Sequence, residues 1–346
     1  MSVAMSVAFG HSRLYSAAMS KRMLTTLCHV ASQLLYRWHP SPWERDLSKA
    51  PNRDDLHECS DHDLDLTKVS DKDWSALITH LVKDGSEKAP WIEGYFRKTD
   101  PTGGILLQST VKHLRLLSEA GARYITILDP SYPRSLINLR DPPLGLTLRG
   151  QPELMGLPMV SVIGSRKGSG LAIQEGFRLG ALLAQRGIVT VSGGAFGCDI
   201  AAHHGVLSQG AGQALAIGVF AGGLHRLYPA GNAAVFRRLE GRGALFISER
   251  LWWTSAQRFD FPVRNRLISG LSGVTIVLQA GQPSGAYLTA RMALDQGRDV
   301  AVLRHSSHDV RAAGSRDLAL DGAREFADVE EFVQSIEVVG RGEGDD

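Results

Sequence analysis

Chemistry in this sequence gathers where glycine does. Five short stretches, "GSRKGSG" (164–170), "SGGAFGCD" (192–199), "FAGGLHRLYPAGN" (220–232), "SERLWW" (248–253) and "GQPSGAYLT" (281–289), set polar and basic residues among small ones. Backbone N–H groups crowd an anion only where no Cβ intrudes, and a following helix adds the positive end of its dipole. The pattern favours phosphate. "GSRKGSG" stands where a dinucleotide loop would stand, yet it lacks the G-x-G-x-x-G spacing, and Arg166 occupies the second glycine's place. A side chain of that size obstructs close backbone approach to a pyrophosphate, which disfavours NAD and FAD, whereas its forked guanidinium suits direct clamping of a phosphate. A sixth stretch, "FPVRNRLISGLS" (261–272), sets Arg264, Asn265 and Arg266 beside an apolar run, where charges that enter a core require partners.

Other reactive residue types give weaker signals. Glu249 ends an apolar run and is a candidate general base, but no second carboxylate or nucleophile lies at a recognisable spacing. His203 and His204 are adjacent on a helical stretch, so they point about 100° apart and cannot share a metal; with His225 they read as structural. Asp199 and Ser284 occupy positions natural for helix caps, and capping competes with ligand contact at both. Phe196, Trp252 and Trp253 read equally well as stacking platforms or as loop anchors. No catalytic constellation, metal site or cofactor is expected.

The elements that must position these residues follow from periodicity. From Met159 apolar runs alternate with helical stretches: "MVSVI", a helix over "LAIQEGFRLGALLAQRG", "IVTVS", a helix from about Asp199 to Ser208, "QALAIGV", a helix over "NAAVFRRLEGRG", "ALFIS", an interruption, "GVTIVLQA", a helix over "GAYLTARMALDQG", and "DVAVL". Short β-rich runs separated by such helices indicate an α/β fold, a doubly wound, mostly parallel sheet covered on both faces. Right-handed crossovers then place all five loops at the carboxyl edge of the sheet, where such sheets bind ligands. The apolar half of "FPVRNRLISGLS" is expected to build a central strand.

Upstream, residues 123–150 read as strand, Pro-rich turn, one amphipathic turn and second strand, a connecting extension into a main domain over 151–330. Residues 66–122 read as a small helical region: "DWSALITHLV" and "LLQSTVKHLRLLSEAG" space their apolar residues by three and four, and a Pro- and Gly-rich gap at 101–104 divides them. Residues 1–65 form a poorly structured leader. Its first 43 residues hold no Asp or Glu, a composition shared with transit peptides, although an over-long start with Met19 or Met23 as later initiators is the simpler account. Residues 331–346 are left as a C-terminal tail.

Composition bounds the partners. Between Val160 and Val300 there are 14 Lys and Arg against 7 Asp and Glu, and 13 of the 14 are Arg, which points to an anionic partner gripped by planar, forked contacts. Three scattered cysteines, Cys28, Cys59 and Cys198, make neither a disulfide framework nor a zinc site and fit a reducing cytoplasm. No uninterrupted apolar run reaches the length of about 18 residues that a spanning helix needs, so no membrane partner is expected.

The blocks "YPRSLINLRDPPLGLTLRG", "VIGSR", "SGGAFGCDIAAHHGVL", "LHRLYPAGN", "FISE", "FPVRNRLISGLS" and "SGAYLTARMALDQGRDVAVL" together resemble, in order and spacing, the bacterial DNA-processing proteins of the DprA or Smf family, from about Tyr124 to Ala327. The resemblance implies a Rossmann-like domain that binds single-stranded DNA, self-associates as a homodimer and loads the RecA recombinase during natural transformation. Matched to the family's motifs, Gly164, Ser165 and Arg166 form its main phosphate grip, Gly193, Gly197 and Asp199 its second glycine loop, and Asn232 closes its Y-P-x-x-N turn. Arg264, Asn265 and Arg266 fall in F-P-x-R-N-R, and Ser284, Gly285 and Thr289 in S-G-x-x-x-T-A. With Lys167, Ser192, Gly194 and Phe196 these make up the expected DNA- and phosphate-contacting set. Which of Arg264 and Arg266 faces the ligand, and which turns inward towards Glu249 or Asp199, stays open.

Departures from the family pattern accompany the likeness. Ala230 stands where a basic residue often follows the Y-P pair, "VLRHSS" replaces V-P-G, Arg316 replaces an asparagine, and no segment resembles the winged-helix module that many members append. Two rival readings use the same sheet. One is a nucleoside monophosphate phosphoribohydrolase, whose glutamate-bearing loop would align with "GQPSGAYLTAR", where no carboxylate stands; the other is a nucleotide-sensing protein.

Overall fold

The computed structural model describes residues 104–340 apart from 128 and 211; the leader and the helix expected over "DWSALITHLV" lie outside these residues. Chain contacts divide the molecule into residues 1–115 with 128–130 and residues 116–127 with 131–346. The helix expected over "LLQSTVKHLRLLSEAG" is present as α1 (Gly104–Glu119) and stops before Gly121, whose φ of +63° ends it.

The second unit is built on nine strands: β1 (Arg123–Thr126), β2 (Gly145–Arg149), β3 (Met159–Ile163), β4 (Val189–Ser192), β5 (Ala216–Phe220), β6 (Leu245–Ser248), β7 (Val274–Val277), β8 (Asp299–Leu303) and β9 (Arg324–Phe326). They pair in the order β1-β2-β6-β5-β4-β3-β7-β8-β9. From β6 to β9 every pairing is parallel. The chain runs outward from β3 to β6, then returns to lay β7 against β3, with Val160 opposite Val274. This is a doubly wound, Rossmann-like α/β sheet, and the return to β7 is its topological switch point. The 123–150 extension does more than connect. Its two strands join the same sheet antiparallel, β1 on β2 and β2 on β6, with Thr147 opposite Ser248.

Helices cover both faces. Between the strands run α2 (Arg134–Ile137), α3 (Gly170–Gln185), α4 (Cys198–Leu207), α5 (Ala233–Glu240), α6 (Asp260–Leu271), α7 (Gly285–Asp295), α8 (Ala313–Leu320) and, after β9, α9 (Val329–Gly340). On one face Leu267, Ile268 and Leu271 of α6 and Ala290 and Ala293 of α7 pack on Ile163, Val191, Val219 and Val277. On the other, Leu179 and Leu183 of α3, Ala202 of α4 and Phe332 and Val333 of α9 pack on Val160, Val162 and Ile276. Each of the larger side chains contributes about 1.5–3 kcal/mol by leaving water.

Two expectations are corrected here. Residues 329–340, partly assigned to a tail, form α9; the buried Glu175 of α3 ties it down, accepting from the Val329 N–H at 3.1 Å and from Arg178 Nη1 at 2.7 Å. The apolar half of "FPVRNRLISGLS" is helix α6 rather than a central strand. Leu267, Ile268 and Leu271 have the spacing of one helical face, and the strand begins only at Val274, beyond Gly273. α6 is the crossover that carries the chain back from β6 to β7.

Candidate functional site

The start of α6 sets the site. Asp260, in the first helical turn, is buried and paired with Arg250 just beyond β6 at 2.5 Å; it also accepts from the Gln257 N–H at 2.7 Å, an arrangement suited to the positive end of the helix. Burial raises the Asp260 carboxyl, and Arg250 opposes the shift. Pro262 falls in the first turn, where an N–H has no helical partner to lose. Phe261 and Arg264 are then one turn apart on the same side of the helix.

Arg264 is buried beneath the second glycine loop. Its Nη1 donates to the Gly193 carbonyl at 3.1 Å and to the Val219 carbonyl, and its Nε donates to Asn265 Oδ1 at 3.2 Å. A Cβ on Gly193 would lie 2.8 Å from Arg264 Nη2, so glycine is what allows the guanidinium to lie across the backbone. Burial pushes Arg264 down to about 10; Asp199 counters that shift and Arg166 adds to it. Asn232 holds the next peptide, its Nδ2 donating to the Gly194 carbonyl at 2.9 Å.

Asp199 completes this loop from inside. It is buried, and its Oδ2 accepts from the Ala195 N–H at 3.3 Å, with the Gly193 backbone as a second hydrogen-bond donor. Burial raises its carboxyl, while the Arg264 guanidinium and the backbone hydrogen bonds favour the charged form. Nitrogens of the second loop that the sequence pattern offers to a phosphate thus serve the protein's own carboxylate. The first and second loops also interlock: Gly197, at φ +79°, would place a Cβ 2.2 Å from the Ser165 carbonyl oxygen, and the Cys198 N–H donates to that oxygen at 3.2 Å.

Above this frame lies a shallow hollow lined by Arg166, Gly193, Ala195, Phe196, Tyr228, Pro229, Phe261 and Arg264. Arg166 is exposed, and its guanidinium carbon sits 5.5 Å from the centre of the Phe261 ring; Arg264 lies 5.9 Å from the same ring. Tyr228 meets Phe261 edge-on at 5.5 Å between centroids. Phe196 and Tyr228 are 46% and 53% exposed, and the Phe196 ring covers Gly231, where a Cβ would approach it to 2.9 Å. An exposed cation beside two exposed aromatic faces can contact a phosphate and an unstacked base together.

The remaining sequence-selected residues divide. Lys167 is exposed next to Arg166, and its N–H donates to Ser165 Oγ at 3.2 Å; Gly164 leads into the same loop. Arg266 is not beside the hollow in the sense expected of it. Its guanidinium binds Glu249 through Nη1 at 2.8 Å and Nη2 at 2.9 Å, and its Nε donates to the Asp141 carbonyl at 3.0 Å. That contact settles which arginine pairs with Glu249, and it occupies the carboxylate considered as a general base. Asn265 is buried against Arg264. Ser192 donates to the Val162 carbonyl at 2.8 Å from within the sheet.

Ser284 caps α7, accepting from the Tyr287 N–H at 3.1 Å, while the Thr289 hydroxyl donates to the Gly285 carbonyl at 2.8 Å. None of these three lines the hollow. Trp252 is buried in the core near Phe220, Phe236 and Phe246, an anchor rather than a platform. Arg316 donates to the Asp309 carbonyl at 2.8 Å and so braces the loop after β8. Among the described residues no cluster of His, Cys, Asp or Glu has metal-binding geometry, and no helix is long and apolar enough to cross a membrane.

Two features escaped sequence reasoning. The Arg250–Asp260 pair is invisible in pattern because its members lie on either side of a nine-residue stretch without regular structure. The shared role of Phe261 follows only once α6 is seen as a helix.

The family model for DNA recombination-mediator protein A matches residues 123–337. DNA processing protein DprA of Bacillus subtilis is 32% identical over 219 residues, 63% of this chain and 72% of that protein. Protein Smf of Escherichia coli is 32% identical over 206 residues, 60% of this chain and 54% of that protein. Among solved structures, DNA processing protein A of Helicobacter pylori, described with a single-stranded DNA binding mode, superposes with a TM-score of 0.56 at 29% identity, covering 63% of this chain and 97% of that one. The DprA structure from Streptococcus pneumoniae gives a TM-score of 0.61 at 27% identity, covering 74% and 90%. With its doubly wound sheet, its interlocked glycine loops and a match over residues 123–337, the chain belongs to the DNA recombination-mediator protein A family, that of DprA and Smf.

Proposed function

We propose that the chain binds single-stranded DNA along the carboxyl edge of its sheet, with Arg166 as the principal phosphate contact and Phe196 and Tyr228 as faces on which unpaired bases stack. The observation that carries this reading is the exposed Arg166 guanidinium, 5.5 Å from the Phe261 ring and without a carboxylate partner among the described residues. Ordered cations in their neighbourhood face inward: Arg264 to backbone carbonyls, Arg266 to Glu249. Arg166 and Lys167 of the first glycine loop are both exposed and stand ready to meet an anion from solvent. Gly164, Ser165, Gly193, Gly194, Gly197, Asp199, Asn232 and Asn265 then act by shaping the rim, and Arg266, Ser192, Ser284, Gly285 and Thr289 by holding elements around it.

Family membership supports the wider reading, in which the protein acts without catalysis in the cytoplasm, as a homodimer that protects incoming strands and loads RecA recombinase during natural transformation. The decisive experiment is a salt-titrated binding assay that compares a dT oligomer with a duplex of equal length. Tighter binding of the single strand, weakening steeply with salt, is expected. Equal affinity for both forms, or displacement of the oligomer by mononucleotides, would favour a nucleotide-sensing role instead. Release of adenine from AMP by the purified protein would favour the hydrolase reading.

A further inference from the structure

We propose that Phe261 is the positioning residue of this site, a plate shared by two guanidinium groups that fixes where Arg166 meets a phosphate. The inference rests on the DNA-binding reading given above. Arg166 and Arg264 carry like charge and are close enough for Arg166 to depress the protonation of Arg264. One aromatic ring serves both, its centre 5.5 Å from the first guanidinium and 5.9 Å from the second. The negative face of a π-system attracts a cation, so a ring held near both compensates repulsion that would otherwise drive the exposed one, Arg166, away. Arg264 cannot leave, because Gly193 and Val219 hold it beneath the loop.

The plate itself is fixed from three sides. The Arg250–Asp260 pair anchors the turn of α6 that carries it, Arg264 one turn later is locked to backbone, and the Tyr228 ring packs edge-on against it at 63°. Arg166 has no hydrogen bond or ion pair to another described residue, so the ring is what orders an otherwise free side chain. A long cation held in place before binding loses less rotamer freedom when it grips a phosphate. The expected contribution is about 0.5–1 kcal/mol, the range for exposed cation–π contacts, which is about two- to fivefold in affinity.

The test is a double-mutant cycle read by affinity for a dT oligomer at fixed salt. Phe261→Leu keeps an apolar filler and removes the π-face; it is expected to weaken binding about two- to fivefold, whereas Phe261→Trp holds the wild-type affinity. In an Arg166→Ala background, Phe261→Leu is expected to cost nothing further. Arg166 side-chain protons in the free protein, shifted upfield by the ring current, should return towards random-coil positions in Phe261→Leu and stay shifted in Phe261→Trp.

Equal losses in the two backgrounds would mean that Phe261 touches DNA on its own account, and the proposal would fall. An unshifted Arg166 in the wild type would sink it as well, without bearing on DNA binding. Conversely, a wild-type protein that ignores the oligomer would remove the functional reading and this inference with it. Should Phe261→Leu unfold, Phe261→Met supplies the same comparison.

Discussion

Arg266 and Glu249 face each other as two parallel forks, Nη1 to Oε2 at 2.8 Å and Nη2 to Oε1 at 2.9 Å, with side chains only 13% and 15% exposed. Glu249 follows β6 and Arg266 lies in α6, so the pair ties the returning crossover to the strand it leaves. Removing one partner strands the other charge in a desolvated place, which typically costs about 3–5 kcal/mol. Arg266→Ala should therefore lower the urea midpoint sharply. The double variant Arg266→Leu with Glu249→Leu, which removes both charges, should recover much of the loss.

Arg166→Ala makes the opposite prediction. The side chain is exposed, so stability should stay within about 0.5 kcal/mol of wild type. Affinity for single strands should fall to a similar degree whatever the base sequence, and the slope of log affinity against log salt should shrink by about 0.7, the share of one phosphate contact. Retention of full affinity at moderate salt would place the groove elsewhere.

Gly197→Ala probes the interlock of the two glycine loops. Its backbone, at φ +79°, is one that side chains rarely adopt, and the added methyl would press on the Ser165 carbonyl from 2.2 Å. The conformation alone costs about 1–3 kcal/mol. Thermal melts should show the loss, and hydrogen exchange should report faster opening across residues 164–170 and 192–199.

His203 gives a pH signature. It is fully buried, neither ring nitrogen has a hydrogen-bond partner among the described residues, and burial, with His204 adding to the effect, pushes its imidazole down to about 4. The unfolded chain takes up that proton near pH 6.5, at about the ordinary histidine value, while the folded protein does not. The stability associated with neutral His203 is complete above about pH 6.5 and is lost as the pH falls towards about 4, at up to about 1.4 kcal/mol per pH unit. His203→Leu should flatten that dependence in urea titrations run between pH 7 and 5. Asp199 and Asp260, whose carboxyls burial raises, act in the opposite sense, so the difference between variant and wild type isolates the histidine.

The sequence carried the sheet well because β3 to β8 are apolar, β-branched runs punctuated by glycine, and the antiparallel pair at 123–150 was bounded by its prolines. α6 was lost because its buried face includes Arg264 and Asn265, which breaks the apolar stripe by which amphipathic helices are recognised. At the site, residue type was legible and partner was not. Arg166, Arg264 and Arg266 are one amino acid in three roles, decided by Phe261, by backbone carbonyls and by a glutamate 17 residues upstream. Linear spacing says nothing of which carboxylate a crossover helix brings near. The glycines fit a phosphate cradle by their backbone freedom, but linear order does not reveal that Asp199 comes within reach of second-loop nitrogens.

That internal carboxylate has a kinetic consequence. On the DNA-binding reading, a seat already filled by the protein's own carboxyl group would move recognition outward, onto a ridge where the gripping groups stand in solvent. Strands arriving at such a ridge should dock without a slow isomerisation, so arrival rates would follow ionic strength and oligomer charge, and departure would require only that successive links let go one at a time.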